Sequence, residues 1–544
     1  MSDQSGTLAG LLAARADDAG PGLLYEDKAW TWREYVAESR ARAAWLATLA
    51  HERSSNKNRL HLGVLYDNVP ELVFLLGGAA LAGHVVVALN PTRGPDELAR
   101  DAQATDVDFL AFDPAYAGLA DALGVAKAPP LAAAPYEETE VDPDTLAMLI
   151  FTSGTSGRPR AVRITQRKIA IPGVGLGAML TPADRIYCSM PLFHSGAIMA
   201  AYAPAVASGA ALVLRRRFSA SGLIGDVRRY GCTYLHYVGK ALSYVLATPP
   251  QPDDRDNPLK IAFGNEGSTI ATKRFGERFG CYVIDAFGST ETAISVTPDP
   301  TGPPGSLGRL PEGVEIRDPI TGKQCPPALI EQGRLLNADE AIGELVNTAG
   351  LGLFDGYYND PEADAERIRQ GTYWSGDFAY ADAGGYVYFA GRGTERLRVD
   401  GENMAVAPIE AAIREFPGVV EAAVYPVPDA AAGDQIMAAM VLSGGFDAGA
   451  FAAFLAGRAD LGAKAIPRYV RITDAFPMTP SSKVIKRLLV REGWRTADPV
   501  WWRPPHDENF RPITPADVGN IEEEFRRYGR AHLLNPMNRA ESRE

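Results

Sequence analysis

Short apolar runs rich in β-branched residues alternate along this chain with longer Ala- and Leu-rich stretches, and few folds accommodate that rhythm. Residues 60–65, 85–89, 109–112, 147–151 and 211–214 have the length and composition of strands, while 70–82 and 95–104 read as helices. Strands that are apolar on both faces belong in parallel sheets covered by helices, so the pattern predicts an α/β fold with much parallel sheet. One stretch, 72–89, carries no Asp, Glu, Lys or Arg and approaches the length of a membrane span. Gly77, Gly78 and Gly83 interrupt it, His84 lies inside it, and Val85-Val86-Val87 is strand-like. A buried helix followed by a buried strand is therefore expected, and no transmembrane segment.

At 544 residues the chain exceeds one ordinary core, so two or more domains are expected. Its character changes near residue 392. A glycine-dense strand region at 384–389 precedes that point. A compact unit follows, with helices at 408–415 and 448–456 and strands at 421–427 and 436–442. The expected organisation is a large N-terminal α/β region, 1–392, a small mobile C-terminal α+β domain, 393–500, and a Pro- and charge-rich tail, 501–544. In that tail Ile521, Phe525 and Tyr528 fall at helical spacing and predict a packing helix. The net charge of −13 argues against a nucleic-acid partner, because phosphate backbones are held by basic faces. Cys188, Cys232, Cys281 and Cys325 form no C-x-x-C pair, so neither a zinc site nor a disulfide framework is indicated. A reduced, cytoplasmic setting is expected. The first ten residues lack a basic region followed by an apolar core, and no signal peptide is expected. Oligomeric state leaves no mark on the sequence.

The strongest local signal is Leu149-Ile-Phe-Thr-Ser-Gly-Thr-Ser-Gly-Arg-Pro-Arg160, an apolar strand running into hydroxyls, glycines and two cations. Glycines let backbone N–H groups approach phosphate oxygens, hydroxyls add donors, and cations neutralise charge. Such a composition alone also makes an ordinary turn. The spacing is not that of a P-loop, since Pro159 stands where the second glycine would fall. A second loop, Phe287-Gly288-Ser289-Thr290-Glu291, joins an aromatic that can stack on a base, hydroxyls that can bond phosphate and a carboxylate that can hold Mg²⁺. It follows the apparent strand 282–284. A third segment, Tyr373-Trp-Ser-Gly-Asp377 with Gly391-Arg392 further on, offers an acid for ribose hydroxyls and a cation nearby. Gly173-Val-Gly175-Leu-Gly-Ala178 fits a dinucleotide fingerprint, but 190–196 offers no acid for a ribose, so a turn or helix-packing site is expected there.

Taken together and in this order, these segments resemble the superfamily of acyl-CoA synthetases, peptide-synthetase adenylation domains and luciferases, over roughly residues 20 to 495. The likeness is closest to fatty-acyl-CoA synthetases of the fatty-acid transport protein branch, carried by Tyr386-Val-Tyr-Phe and by Arg398-Val-Asp-Gly-Glu-Asn403. The resemblance implies an enzyme that adenylates an acid with ATP and Mg²⁺, releases pyrophosphate and passes the acyl group to a second nucleophile, with coenzyme A as co-substrate. It implies that Thr152, Ser153, Gly154, Thr155, Ser156, Gly157 and Arg160 gather the phosphates. His194, in Pro-Leu-Phe-His, flanks the acid pocket. Gly264, Asn265 and Glu266 lie against adenine, with Asp285, Phe287, Gly288 and Ser289 on the same nucleotide site. Thr290 bonds the α-phosphate and Glu291 holds the metal. Asp377 takes the ribose, with Arg392 beside it. Lys483, in Pro477-Met-Thr-Pro-Ser-Ser-Lys483-Val-Ile-Lys, is the mobile lysine of the C-terminal domain. Thr394 stands at the hinge, Arg398 on the next strand and Gly401 on a CoA-facing surface. The active site is expected in the cleft between the two regions.

Four departures from the family pattern stand out, some of them spanning two positions. Arg160 replaces a lysine, Ser482 replaces the glycine before the mobile lysine, and Thr394 stands at a hinge aspartate position with Arg398 at a later lysine. Thr292 and Ala293 follow Glu291 on a loop that borders the acid pocket in this family. These changes leave open the same adenylating chemistry with another acid or acceptor, such as nitrite activated for attack by an aryl amine (a diazotase of secondary metabolism). A dinucleotide-binding or non-catalytic protein is the remaining alternative.

Overall fold

In the computed structural model the described residues are 6–52, 59–153, 159–239, 241–265, 269–299, 301–331, 334–392, 396–399, 402–431, 434–458, 461, 465–478, 484–505 and 507–534. They form two compact units.

The first unit holds residues 1–267, 273–295 and 351–370. Its five-stranded sheet runs in the order Phe109–Phe112, His61–Leu65, Val85–Ala88, Leu146–Ser153, Pro159–Thr165. The first four strands are parallel, and the last turns back antiparallel. Every residue of His61–Leu65 and Val85–Ala88 is buried, as strands covered on both faces require. The charge-free stretch resolves as expected. Helix Pro70–Ala82 starts with Pro70 in its first turn, buries Leu72 to Leu81, and ends at Gly83 in the left-handed region, φ 67°. Strand Val85–Ala88 follows. A seven-stranded sheet runs Tyr282–Asp285, Ile261–Asn265, Tyr234–Val238, Arg185–Cys188, Ala211–Leu214, Pro21–Tyr25, Lys28–Thr31. It is parallel as far as Pro21–Tyr25 and antiparallel at its last pair.

The dinucleotide-like run lies inside helix Gln166–Gly177. A Cβ at Gly173 would fall 2.9 Å from the Ala203 Cβ. Gly173 serves close helix packing.

The second unit holds residues 268–272, 296–350 and 371–544. One antiparallel sheet orders Gly308–Arg309, Tyr386–Arg392, Thr372–Ala381, Gly343–Asn347 and Val314–Arg317. A five-stranded sheet orders Val419–Pro428, Asp434–Leu442, Tyr469–Ile472, Val500–Trp502 and Arg511–Pro512. Strand alternation divides its core in two. Val424, Ala438 and Met440 pack with Ile409, Ile413, Phe451 and Leu455 of helices Val406–Arg414 and Ala448–Ala456. On the other face Tyr425, Met437 and Ala439 pack with Leu489, Trp494, Ile521 and Phe525. Burying a side chain such as Phe451 or Leu455 contributes roughly 2 kcal/mol. The residues after 500, read as a tail from their Pro and charge content, supply the last two strands of this sheet. Their helix, Pro515–Arg527, buries Ile521 and Phe525 while Tyr528 stays exposed. Local composition marks the prolines, but the three-residue apolar run Val500–Trp502 that joins the sheet is too short to signal a strand.

Among the described residues no helix is long and apolar enough to cross a membrane.

Candidate active site

In the first unit the expected phosphate loop joins two antiparallel strands, with Thr152 opposite Arg160 and Ser153 opposite Pro159. Gly154, Thr155, Ser156 and Gly157 lie outside the described residues. Arg160 is buried. Its guanidinium pairs with the Glu366 carboxylate and lies 5.5 Å from the Tyr357 ring centroid. Its Nη1 is buried with no hydrogen-bond partner among the described residues. The arginine that replaces the family's lysine thus uses its fork geometry: one arm holds a carboxylate, the plane covers an aromatic, and one nitrogen remains to donate.

Tyr357 connects this cation to the second loop. Its hydroxyl donates to Glu291 Oε1 at 2.9 Å in a buried setting. Burial first, and then the Glu291 charge, push the Tyr357 phenol well above its ordinary pKa, so it stays a donor. Thr290 is fixed separately, its Oγ1 2.7 Å from Ser195 Oγ. Ser195 follows His194 directly, so the residue next to the expected acid-pocket histidine shares a hydrogen bond with the expected α-phosphate donor. His194 lies against Phe193, ring centroids 4.7 Å apart. Thr292 adopts φ 52°, a left-handed conformation that β-branched residues rarely take. The Leu353 N–H bonds the Thr292 carbonyl at 3.3 Å, and the Thr292 N–H bonds the Ser289 carbonyl at 3.1 Å. Strain held by surrounding structure on the loop bearing Thr290 and Glu291 is what a functional loop shows. Beneath it Lys168 is fully buried, donates to the Arg163 carbonyl at 3.2 Å and sits 5.9 Å from the Phe354 ring. Burial lowers its pKa to about 8, against the opposing pull of Asp355 and Glu291.

Glu291 accepts from Tyr357 through one oxygen. A single carboxylate suits Mg²⁺, which is bound by one or two carboxylates together with substrate phosphates. Among the described residues no group of three or more His, Cys, Asp and Glu could hold a metal unaided. A lone carboxylate such as Glu291 fits a metal that is also held by a nucleotide's phosphates.

Gly264 and Asn265 end strand Ile261–Asn265, paired in parallel with Tyr234–Val238. A Cβ at Gly264 would fall 2.1 Å from the Tyr237 carbonyl oxygen and 2.7 Å from its ring. Only glycine fits, and the bare backbone leaves a flat strip. Tyr237 in turn donates to Asp285 Oδ1 at 2.8 Å, so Asp285 is engaged with the sheet. Asn265 Oδ1 is buried with no partner among the described residues. Phe287 and Ser289 are half-buried and Gly288 is exposed, while Glu266 lies outside the described residues.

His236 is fully enclosed on strand Tyr234–Val238, and its ring nitrogen Nε2 would be 3.3 Å from a Cβ at Gly196. Nδ1 has no hydrogen-bond partner among the described residues. Burial pushes its pKa down to about 4. An unfolded imidazole protonates near pH 6.5. The His236 contribution is therefore complete above pH 6.5 and is lost as pH falls from there toward 4. The loss at pH 5 is about 2 kcal/mol. Urea unfolding at pH 7 and pH 5 should show this fall in the wild type and a smaller one in His236→Gln. Equal falls would mean that His236 is not held neutral by the fold.

In the second unit Asp377 is buried on strand Thr372–Ala381, directly across the ladder from Arg392. Gly376, at φ 73°, donates its N–H to Glu344 Oε1 at 2.6 Å, and the Asp377 N–H donates to Ser375 Oγ at 3.1 Å. These bonds fix the backbone around Asp377. Arg398 pairs across a hairpin with Asn403. Thr394, Gly401, Ser482 and Lys483 lie outside the described residues. Both flanks of the lysine segment are described: Met478 and Val484 form an antiparallel bridge, and the Ile485 N–H donates to the Pro477 carbonyl at 2.8 Å.

Sequence reasoning missed Tyr357, Ser195, Lys168 and Glu366. Ser195 could have been suspected from its place after His194. Tyr357 and Glu366 have no local signal, because their partners are far away along the chain.

Residues 13–358 match the family model described as AMP-binding enzyme, and residues 408–483 match the AMP-binding enzyme C-terminal domain. A medium/long-chain-fatty-acid–CoA ligase of Mycobacterium marinum is 46% identical over 91% of this chain and 98% of its own. A steroid-22-oyl-CoA synthetase of Rhodococcus jostii is 43% identical over 97% of this chain and 99% of its own. The structure of o-succinylbenzoate–coenzyme A synthetase from Bacillus subtilis with ATP and magnesium ion aligns with a TM-score of 0.73 at 25% identity, over 88% of this chain and 98% of that one.

Proposed function

Because this chain belongs to the AMP-binding enzyme family, we propose that the acid it activates is an extended apolar carboxylic acid. The chain is an ATP-dependent, AMP-forming ligase that joins an acid to the thiol of coenzyme A. The observation that carries the choice of acid is likeness along nearly the full length to two ligases whose acids, a fatty acid and a steroid side-chain acid, are both large and apolar. The same likeness favours a thioester product over the nitrite reading.

In this reading the carboxylate oxygen attacks the α-phosphorus, the bond to the β-phosphate oxygen breaks, and pyrophosphate leaves. The CoA sulfur then attacks the acyl carbonyl and AMP leaves. Mg²⁺, held by Glu291 and the phosphates, would reduce the negative charge that repels the incoming acid. Thr290, steadied by Ser195, would donate to an α-phosphate oxygen. The loop from Thr152 to Gly157, with Arg160 at its end, would donate to the departing phosphates. Gly264, Asn265, Glu266 and Phe287 would flank adenine, and Asp377 would accept from the ribose hydroxyls with Arg392 beside it. His194 would stand at the acid. Lys483, on the C-terminal region, would complete the charge stabilisation in the adenylate-forming step.

The test is pyrophosphate release from Mg-ATP across short, medium, long, steroid side-chain and aromatic carboxylates with CoA, and nitrite with an aryl amine, with products read by mass spectrometry. Thioester formation, fastest with the medium, long and steroid acids, is expected. Release with short or aromatic acids alone would overturn the choice of acid. Release with nitrite alone, giving a diazo product, would overturn the carboxylate as well.

A further inference from the structure

Two loops of the first unit meet at one side chain. Asn68 is buried in the turn between strand His61–Leu65 and helix Pro70–Ala82. Its Nδ2 donates to the Met190 carbonyl at 2.8 Å, and its Oδ1 accepts the Leu192 N–H at 2.9 Å. The amide thus bonds the main chain on both sides of Pro191. The Pro191 carbonyl, between those two anchors, accepts the His194 N–H at 3.1 Å. The backbone of His194 is therefore tied, through Pro191, to the turn that carries Asn68.

Asn68 is itself held in place. Its neighbour Asp67 accepts the Tyr116 hydroxyl at 2.7 Å and pairs with Arg216 and Arg217, each at 3.1 Å. Those arginines lie just beyond strand Ala211–Leu214, and Met190 lies just beyond strand Arg185–Cys188. All of these groups stand past the carboxyl ends of parallel strands, where open α/β sheets carry their ligand sites. The tied segment also borders empty space. Leu192 and Phe193 line an apolar cavity of about 10 Å³ together with Tyr66, Leu72 and Leu76. Main chain released from Asn68 has somewhere to move.

We propose that Asn68 is a positioning residue that sets the backbone presenting His194 to the acid. The inference rests on the reading of His194 as the residue at the acid. A misplacement of about 1 Å can cost on the order of 10²-fold in rate, and a segment still tied to Thr290 through Ser195 should shift by less.

The experiment varies the acid and the nucleotide in turn, following pyrophosphate release by the full chain with the carboxylate of highest turnover in the panel above. Asn68→Ala should lower kcat/KM for the acid about tenfold, chiefly through KM, while KM for Mg-ATP stays within about twofold, because other residues hold adenine and ribose in this reading. In the His194→Ala background the same substitution should change kcat/KM for the acid by about twofold or less, since a residue that acts through another adds little once that other is gone. A full loss in that background, an equal rise in both KM values, or no loss in the single variant overturns the proposal. If Asn68→Ala does not fold, Asn68→Asp carries the same test. It keeps the shape and the acceptor for the Leu192 N–H while it removes the donor to the Met190 carbonyl. Unchanged kcat/KM for the acid in that variant overturns the proposal. His194→Ala alone tests the premise: if its kcat/KM across the acid panel matches the wild type, His194 is not at the acid, whatever Asn68→Ala does.

Discussion

Lys483→Ala should lower pyrophosphate release by about 10²- to 10³-fold, the usual cost of removing one charge-stabilising donor from a reacting centre. The α-phosphorus is attacked by an anion while still surrounded by negative oxygens, and the charge spreads onto the leaving pyrophosphate as the bond breaks. A compact ammonium on a flexible stem suits that place. Loss of the charge should act on rate and not on fold. The segment's flanks are held by backbone bonds at Pro477, Met478, Val484 and Ile485 that do not involve the lysine side chain. Thermal unfolding of the variant should coincide with the wild type, and thioester formation from supplied adenylate should persist. A variant that still releases pyrophosphate at the wild-type rate would take Lys483 out of the reaction.

Glu291→Gln should produce a loss of about 10²-fold at millimolar Mg²⁺, partly recovered as Mg²⁺ is raised. The substitution is nearly isosteric, and the amide oxygen can still accept from Tyr357 as Glu291 Oε1 does at 2.9 Å. The change therefore isolates charge from geometry. Tyr357→Phe makes the complementary change, removing the hydroxyl and leaving the charge, and should cost about tenfold or less with little change in Mg²⁺ dependence. Rates measured against stepped Mg²⁺ distinguish the two. Equal Mg²⁺ profiles for Glu291→Gln and the wild type would mean that this carboxylate does not meet the metal.

Much of the fold is legible because its information is local. The apolar runs at 61–65, 85–88 and 109–112 can only be strands covered on both faces, and the stretch from 72 onward breaks into helix and strand at Gly83. The candidate site is legible in a different way, through the order of several individually weak segments. Pairings across long chain separations are not legible. Glu291 meets Tyr357 across 66 residues, and Arg160 meets Glu366 across 206. Neither pair leaves a periodicity or a spacing to read. Gly376, at φ 73°, donates its N–H to Glu344 on the neighbouring strand, a pairing that likewise leaves no local mark. The segment from 500 onward differed for the opposite reason, since proline and charge dominate its composition while a three-residue strand and a two-residue strand enter the sheet.

The two glycines that abut strand Tyr234–Val238 differ in what they permit over evolutionary time. A methyl group at 264 would strike main chain, the Tyr237 carbonyl at 2.1 Å, so any heritable change there alters the spacing between two strands. A methyl group at 196 would press instead on side chains, the His236 ring at 3.3 Å and a Val238 methyl at 3.4 Å, both of which can be exchanged in turn. A change at 196 can therefore be absorbed by paired substitutions at 236 and 238, while a change at 264 has no such partner to give way.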